Sequence, residues 1–386
     1  MDVLSIIFPY IISSLFLTVL SLLEFLYSND LIKYKIRIIC QLFFLFFFGF
    51  RGFVAWDWQS YYPLFVGTNM IETYGDVENI ISNTNFEVGY LLYMSVVKTL
   101  FDNWNVFIFV SVFIDLMVFD YLFKKYSPNY ALSMLILFSM SIAMEYDLLR
   151  NVKAIIIIIV SFKFIVSRNL LAFLLMVLCA SFFHSSSIFF LPLYFIGNFR
   201  FSKNQLLILF FICISAYFLN IGFGKAISLF LIDQDVLSMY MSDKLIGYYY
   251  SDLYGASRSI SIGFVQKVIV YLMLILLYDK IVDKHSYGKL ISNMYVLYFI
   301  VIFSCFDFKI LVDRIEYIYG ISVWILWPYI LYSLCRKSNQ LIFLLFVCLL
   351  CFVKNIVIPI QNNPYYNYEN VLFGSQTYNQ RLLNNT

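Results

Sequence analysis

Long apolar runs separated by short polar connections organise the whole chain. The runs fall at about 3–27, 36–54, 88–101, 104–121, 130–146, 148–167, 170–197, 204–221, 262–279, 290–306, 315–334 and 339–360. Most are long enough to cross a hydrocarbon layer as helices, which takes about 20 residues. A helix also satisfies its own backbone where no water is present. The pattern predicts an all-α, polytopic integral membrane protein with about 10–12 transmembrane helices. It predicts a single transmembrane domain over 1–386, a first outer loop at 55–86 and a large outer loop at 222–261. Within the second loop, Lys225 to Asp235 reads as an amphipathic helix along the membrane surface.

Two runs are expected to be irregular. The run 88–101 has 14 residues, carries Lys98 and precedes Asp102-Asn103, which suits a re-entrant half-span lining a protein cavity. The run 170–197 is long for one span and contains His184-Ser185-Ser186-Ser187 and Pro192. A helix to about Phe183, a break and a short return helix fit it better, with His184 at the break facing a cavity.

Composition agrees. Of 386 residues 62% are hydrophobic and 13% charged, with a mean hydropathy of +0.83; soluble domains carry nearer a quarter charged residues. The run 3–27 follows Asp2 rather than a basic stretch and is read as the first transmembrane helix, not a cleaved leader. A net charge of +3, dispersed along the chain, is too small to argue for nucleic acid, and no nucleic-acid partner is expected. The seven cysteines lack zinc-type spacing and there are two histidines, which argues against a zinc or histidine-rich site. No obligatory metal and no cofactor are expected, with a magnesium site at Asp57 and Glu87 as the alternative. Lys33-Lys35-Arg37, Lys124-Lys125, Lys163 with Arg168, Arg200 with Lys203, Lys280-Lys284-Lys289 and Arg336-Lys337 form basic connections. These are placed in the cytoplasm, and the loops at 55–86 and 222–261 outside.

In that topology Arg51, Asp57, Glu87, Arg150, Lys153, His184 and Arg314 gather towards the outer face. Ionisable groups beside hydrocarbon are expensive and mark function by default. Arg150 and Lys153, three apart on a helix, would share a face and grip neighbouring phosphate oxygens; the plainer alternative pairs Asp147 with Arg150. Arg314 is either neutralised by Asp313 or Glu316 or is a second phosphate ligand, with Arg258 a weaker candidate. Glu87 is either a helix-dipole residue or a base. His184 is either structural or catalytic. Tyrosines at 248–250, 254, 365, 366 and 368 suit interface anchoring better than sugar stacking.

The order of these motifs resembles the EpsG-like group of Wzy-type bacterial polysaccharide polymerases. There an arginine closes the second helix, an aspartate-tyrosine cluster follows, then Glu-x-Gly-Tyr, an arginine leading into a helix, a histidine before small residues, and a late arginine with tyrosines. The matching positions are Arg51, Asp57 with Tyr61 or Tyr62, Glu87-Val88-Gly89-Tyr90, Arg150, His184-Ser185, and Arg314 with Tyr319. Two departures stand: Glu-Val-Gly-Tyr replaces Glu-Pro-Gly-Tyr, and Arg150-Asn151 replaces Arg-Gln.

The resemblance implies a fold like that of GT-C-type glycosyltransferases in the bacterial inner membrane. It implies a polymerase joining undecaprenyl-diphosphate-linked oligosaccharides at the periplasmic face, among membrane lipids and with a chain-length regulator as a further partner. Arg150, Lys153, Arg314 and Arg51 would bind diphosphate, with Tyr61, Tyr62, Tyr90 and Tyr319 on sugar. Glu87, His184 and Asp57 are the catalytic candidates, with Glu87 or His184 as base and Asp57 holding substrate beside Arg51. A flippase for the same lipid, or a ligase resembling O-antigen ligases, is the alternative.

Overall fold

The computed structural model describes residues 3–68, 70–71, 86–233, 239–252 and 254–385. The acidic residues Glu72, Asp76 and Glu78 of the first outer loop lie outside them. Among the described residues the fold is all-α, and Arg51 and Asn370 form an isolated backbone bridge. In chain order the helices are α1 (Val3–Leu26), α2 (Asp30–Phe44), α3 (Trp58–Gly67), α4 (Val88–Leu100), α5 (Trp104–Tyr126), α6 (Tyr130–Met140), α7 (Ile142–Tyr146), α8 (Leu149–Val166) and α9 (Leu170–Ser181). They continue with α10 (Leu191–Ile196), α11 (Lys203–Phe218), α12 (Gly224–Asp233), α13 (Met239–Tyr249), α14 (Ile262–Lys284), α15 (Gly288–Ser304), α16 (Lys309–Tyr319), α17 (Ile321–Ser333), α18 (Lys337–Gln361) and α19 (Tyr378–Asn385). Among them α1, α5, α14 and α18 are each long and apolar enough to cross a membrane, and shorter apolar helices accompany them. This is the architecture of a multi-pass membrane protein.

The chain divides into two compact units: Met1–Phe164, Asn169–Ile188 and Cys335–Thr386 make the first, Ile165–Arg168 and Phe189–Leu334 the second. In the first, α1 packs against α6 and α18. Glu24, buried near the end of α1, accepts the backbone N–H groups of Tyr130 (3.0 Å) and Ala131 (2.8 Å). A carboxylate thereby caps the N-terminus of α6, where the helix dipole is positive. The Arg37 guanidinium forks onto Asp120 and ties α2 to α5. Lys98 donates to the carbonyls of Val66 (2.7 Å) and Thr68 (2.8 Å), so the charge in the short run 88–101 satisfies the end of α3. At 13 residues, α4 is roughly 20 Å long, short of the ~30 Å hydrocarbon core.

The run 170–197 is broken where expected: α9 stops at Ser181, residues 182–184 are irregular, and a 3-10 turn (Ser185–Phe190) leads into α10. Two further breaks divide runs read as continuous, at Ser141 between α6 and α7 and at Gly320 between α16 and α17. The aromatic residues after α18 are core rather than interface. Tyr366 is buried, and Tyr368 stacks on Phe47 with centroids 4.3 Å apart. Fully buried Arg381 of α19 donates to the carbonyls of Pro364, Tyr365 and Asn367 and gathers this segment around itself.

In the second unit, Asn293 of α15 donates to the carbonyls of Ile196 and Phe199, both at 2.6 Å, and accepts from Tyr278 of α14. A buried amide with these partners fixes the turn between α10 and α11. Asp307 accepts from the backbone N–H groups of Gly224 (2.8 Å) and Lys225 (3.1 Å) and starts α12. A Cβ at Gly222 would lie 2.4 Å from the Asp307 side chain, which explains the glycine there.

Candidate active site

The site in the first unit begins with a defect. α2 ends in a single π turn, Leu45–Gly49, of the kind that often marks function. After it the chain leaves the helix as the loop from Arg51 to Asp57. Ala55 sits at φ 68°, which costs a residue with a Cβ about 1–2 kcal/mol. Partners hold the loop in that state. Val371 N–H donates to Phe50 O (2.8 Å), Gly52 N–H to Glu369 O (2.9 Å) and Ala55 N–H to Tyr365 O (2.8 Å). From the other side Asp147 Oδ1 accepts the N–H groups of Trp56 (2.8 Å) and Asp57 (3.0 Å). Asp57 then opens α3, its carbonyl accepting from Ser60 and Tyr61.

One turn into α3, the hydroxyl of buried Tyr61 accepts from Arg150 Nε at 3.1 Å. Arg150 Nη1 is ion-paired with Glu87, which stands just before α4, and both side chains are 22% exposed. The guanidinium lies over the Phe86 ring at 4.5 Å. Arg150 therefore pairs with Glu87, not with Asp147. Tyr90 packs edge-on against Tyr61 (5.6 Å) and is fully buried, its hydroxyl without a hydrogen-bond partner among the described residues. Tyr62 points elsewhere, stacked on Tyr378 of α19 at 4.7 Å.

Gly89 joins this group to the break that carries His184. Its N–H donates to Phe182 O at 2.8 Å, and a Cβ there would sit 2.7 Å from the same oxygen. The glycine of Glu-Val-Gly-Tyr is thus a contact requirement. Gly89→Ala is expected to push α4 off the break and to lower the melting temperature, read by thermal unfolding in detergent; a wild-type melting curve would refute the tight contact. Within the break, His184 Nδ1 lies 2.7 Å from Ser186 Oγ and accepts from Ser186 N–H at 3.2 Å.

A family model described as the EpsG family matches residues 33–370, nearly the whole chain. The chain belongs to the EpsG family. Comparison with curated proteins and with solved structures finds no match. EpsG proteins are a Wzy-type polysaccharide polymerase family, and a multi-pass location in the inner membrane follows from the family and the apolar helices.

The remaining expected residues of this EpsG protein are placed differently from Arg150. Lys153 runs into the core: 3% exposed, it is ion-paired with Asp115 of α5 and donates to Ser111 O at 2.9 Å. Its charge is spent inside the protein, one turn from Arg150. Truncating one partner of a buried pair costs about 3–5 kcal/mol. Lys153→Ala is therefore expected to lose most stability, and the Lys153→Met/Asp115→Leu double variant to recover it in a thermal melt. Arg51 is also buried, at 4%, donating to Phe48 O (3.1 Å) beside the Tyr146 ring, in a small pocket shared with Gly52, Trp58 and Trp104.

Arg314 and Tyr319 belong to the second unit. Asp313 and Glu316 do not neutralise Arg314; they share a helix face and both bind Arg258, while Glu316 also takes Lys267 at 2.9 Å. Neighbours one and two residues away on a helix point elsewhere, so Arg314 is left without an ion-pair partner among the described residues. Burial pulls Arg258 down, but the Glu316 and Asp313 carboxylates outweigh it and hold its guanidinium above the ordinary arginine value. Tyr319 is buried and donates to Phe189 O, a packing role. Among the described residues no cluster of three or more His, Cys, Asp or Glu is set to hold a metal ion.

Asp115, Phe86 and the segment after α18 join the site through contacts made only in the fold, and Asp147 does so through the start of α3 rather than through Arg150. Asp115 is one of two aspartates in the apolar run 104–121, the one deeper in the run, and a carboxyl there is its signal. No periodicity marks the others.

Proposed function

We propose that this EpsG protein joins undecaprenyl-diphosphate-linked repeat units at the periplasmic face of the bacterial inner membrane. The observation that supports it is the half-buried Arg150–Glu87 pair backed by Tyr61. An arginine fork is suited to a diphosphate, and here it is held by a carboxylate that an arriving diphosphate would displace. Binding the anionic end of the donor frees Glu87 in the same event. The hydroxyl of one lipid-linked unit attacks the anomeric carbon of the growing chain, and Glu87 takes its proton. The bond from that carbon to the diphosphate oxygen breaks, and undecaprenyl diphosphate leaves with its charge on Arg150.

We assign the base to Glu87 rather than His184. Ser186 N–H donates to His184 Nδ1, which puts the proton of the neutral ring on Nε2 and makes it a donor. His184 then fixes the geometry of the break after α9. In the second unit Arg314, without an ion-pair partner among the described residues, is a separate cation suited to a lipid diphosphate, and in the first Lys153 supports α8 from within. Tyr61 orients Arg150, and Asp57 stands at the approach for sugar. The topology would be about 10–12 crossings with α4 a half-span and the His184 break lining a cavity, as in GT-C-type enzymes.

The test is polymerisation by the purified protein in detergent, supplied with its lipid-linked repeat unit. A product ladder supports the reading. No ladder from the wild type, together with movement of the lipid across liposomes, would make the protein a flippase.

A further inference from the structure

Asp147, in the link between α7 and α8, and Arg150, in the first turn of α8, are three residues apart in the chain, and each grips α3 or its start. Asp147 takes the backbone N–H groups of Trp56 and Asp57 just before the helix begins. Arg150 donates to the Tyr61 hydroxyl one turn further along. The result is a closed ring: Asp147, the N-terminus of α3, Tyr61, Arg150 and back along the chain through Leu149 and Leu148.

Asp147 is 9% exposed, and among the described residues no cation is ion-paired with it. A carboxylate is costly to bury unless it is hydrogen-bonded, so a buried one committed to two backbone donors has a positional task. It also faces the positive end of the α3 dipole, where negative charge is favoured. With Ala55 in the left-handed region two residues earlier, the loop would relax if that grip were lost. Tyr61 would then move, and with it the guanidinium.

We propose that Asp147 is a positioning residue that sets the direction of the Arg150 guanidinium by clamping the start of α3. This rests on the reading of Arg150 as the diphosphate ligand, but the clamp itself has a readout that does not need turnover.

Asp147→Ala is expected to lower kcat about 100-fold, the scale of a ~1 Å misplacement of a catalytic group, with KM little changed. Asp147→Asn keeps an oxygen that accepts both N–H groups, and most of the rate should return. If Asp147 acts through Arg150, then adding Asp147→Ala to Arg150→Lys should cost less than about threefold more, since residues acting as a unit are not additive. Independently, phenylglyoxal modification of Arg150, followed by mass spectrometry, should be several-fold faster in Asp147→Ala. Unchanged labelling, rate effects that multiply, or a variant that melts earlier but turns over normally per folded molecule would each overturn the clamp. A wild type that makes no ladder, with labelling that still rises in Asp147→Ala, would remove the polymerase reading and keep the clamp.

Discussion

Arg150→Ala is expected to lower polymerisation about 1000-fold, the upper range for removing one preorganised group from a developing charge. Two losses combine. The departing diphosphate has no fork to receive it, and Glu87, 22% exposed and ion-paired in the resting protein, keeps its charge without a partner. Arg150→Lys should fall between, since an ammonium supplies the charge but cannot donate to Tyr61 and a phosphate in one plane. The measurement is the initial rate of ladder formation at fixed lipid-linked unit, with a melting curve to show that each variant is folded. A ladder of wild-type length and rate from Arg150→Ala would remove this residue from the chemistry.

Glu87→Gln is expected to cost about 10²–10⁴ in kcat, the span for a missing general base, and to do so differently from the arginine. The amide oxygen can still accept from Arg150, so the fold and the orientation of the fork remain. It no longer competes as an anion, so undecaprenyl diphosphate should inhibit this variant more strongly than the wild type. The two substitutions therefore part company: one weakens binding of the leaving group and the other strengthens it. If Glu87→Gln turns over within a few-fold of wild type, the proton goes elsewhere, and His184 becomes the group to test.

Much of the fold was legible because hydrophobic runs report helices directly, and the break at residues 182–184 was signalled by a histidine and three serines inside an apolar stretch. The breaks at Ser141 and Gly320 were not, since single small residues are ordinary inside membrane helices. The site was legible as a set of residues but not as contacts. Glu87 and Arg150 are 63 positions apart, and nothing local says that they meet. Lys153 shows the limit of same-face reasoning. Three residues along α8 rise only about 4.5 Å, yet that distance separates a half-buried guanidinium from an ammonium locked onto Asp115 in the core. The segment after α18 is polar and aperiodic, so its task appeared only with its hydrogen bonds.

That segment also sets an order of assembly. The Arg51–Asp57 loop is made early in synthesis, but the carbonyls of Tyr365 and Glu369 and the N–H of Val371 that hold it are made more than 300 residues later. A nascent chain can insert its first helices in the bilayer while this loop still lacks the three backbone partners that residues 365–371 supply. The catalytic groups would thus come into register only after α18 has entered the membrane and the polypeptide has folded back on itself. A ribosome-bound intermediate would carry the lipid-facing helices of a polymerase without its chemistry.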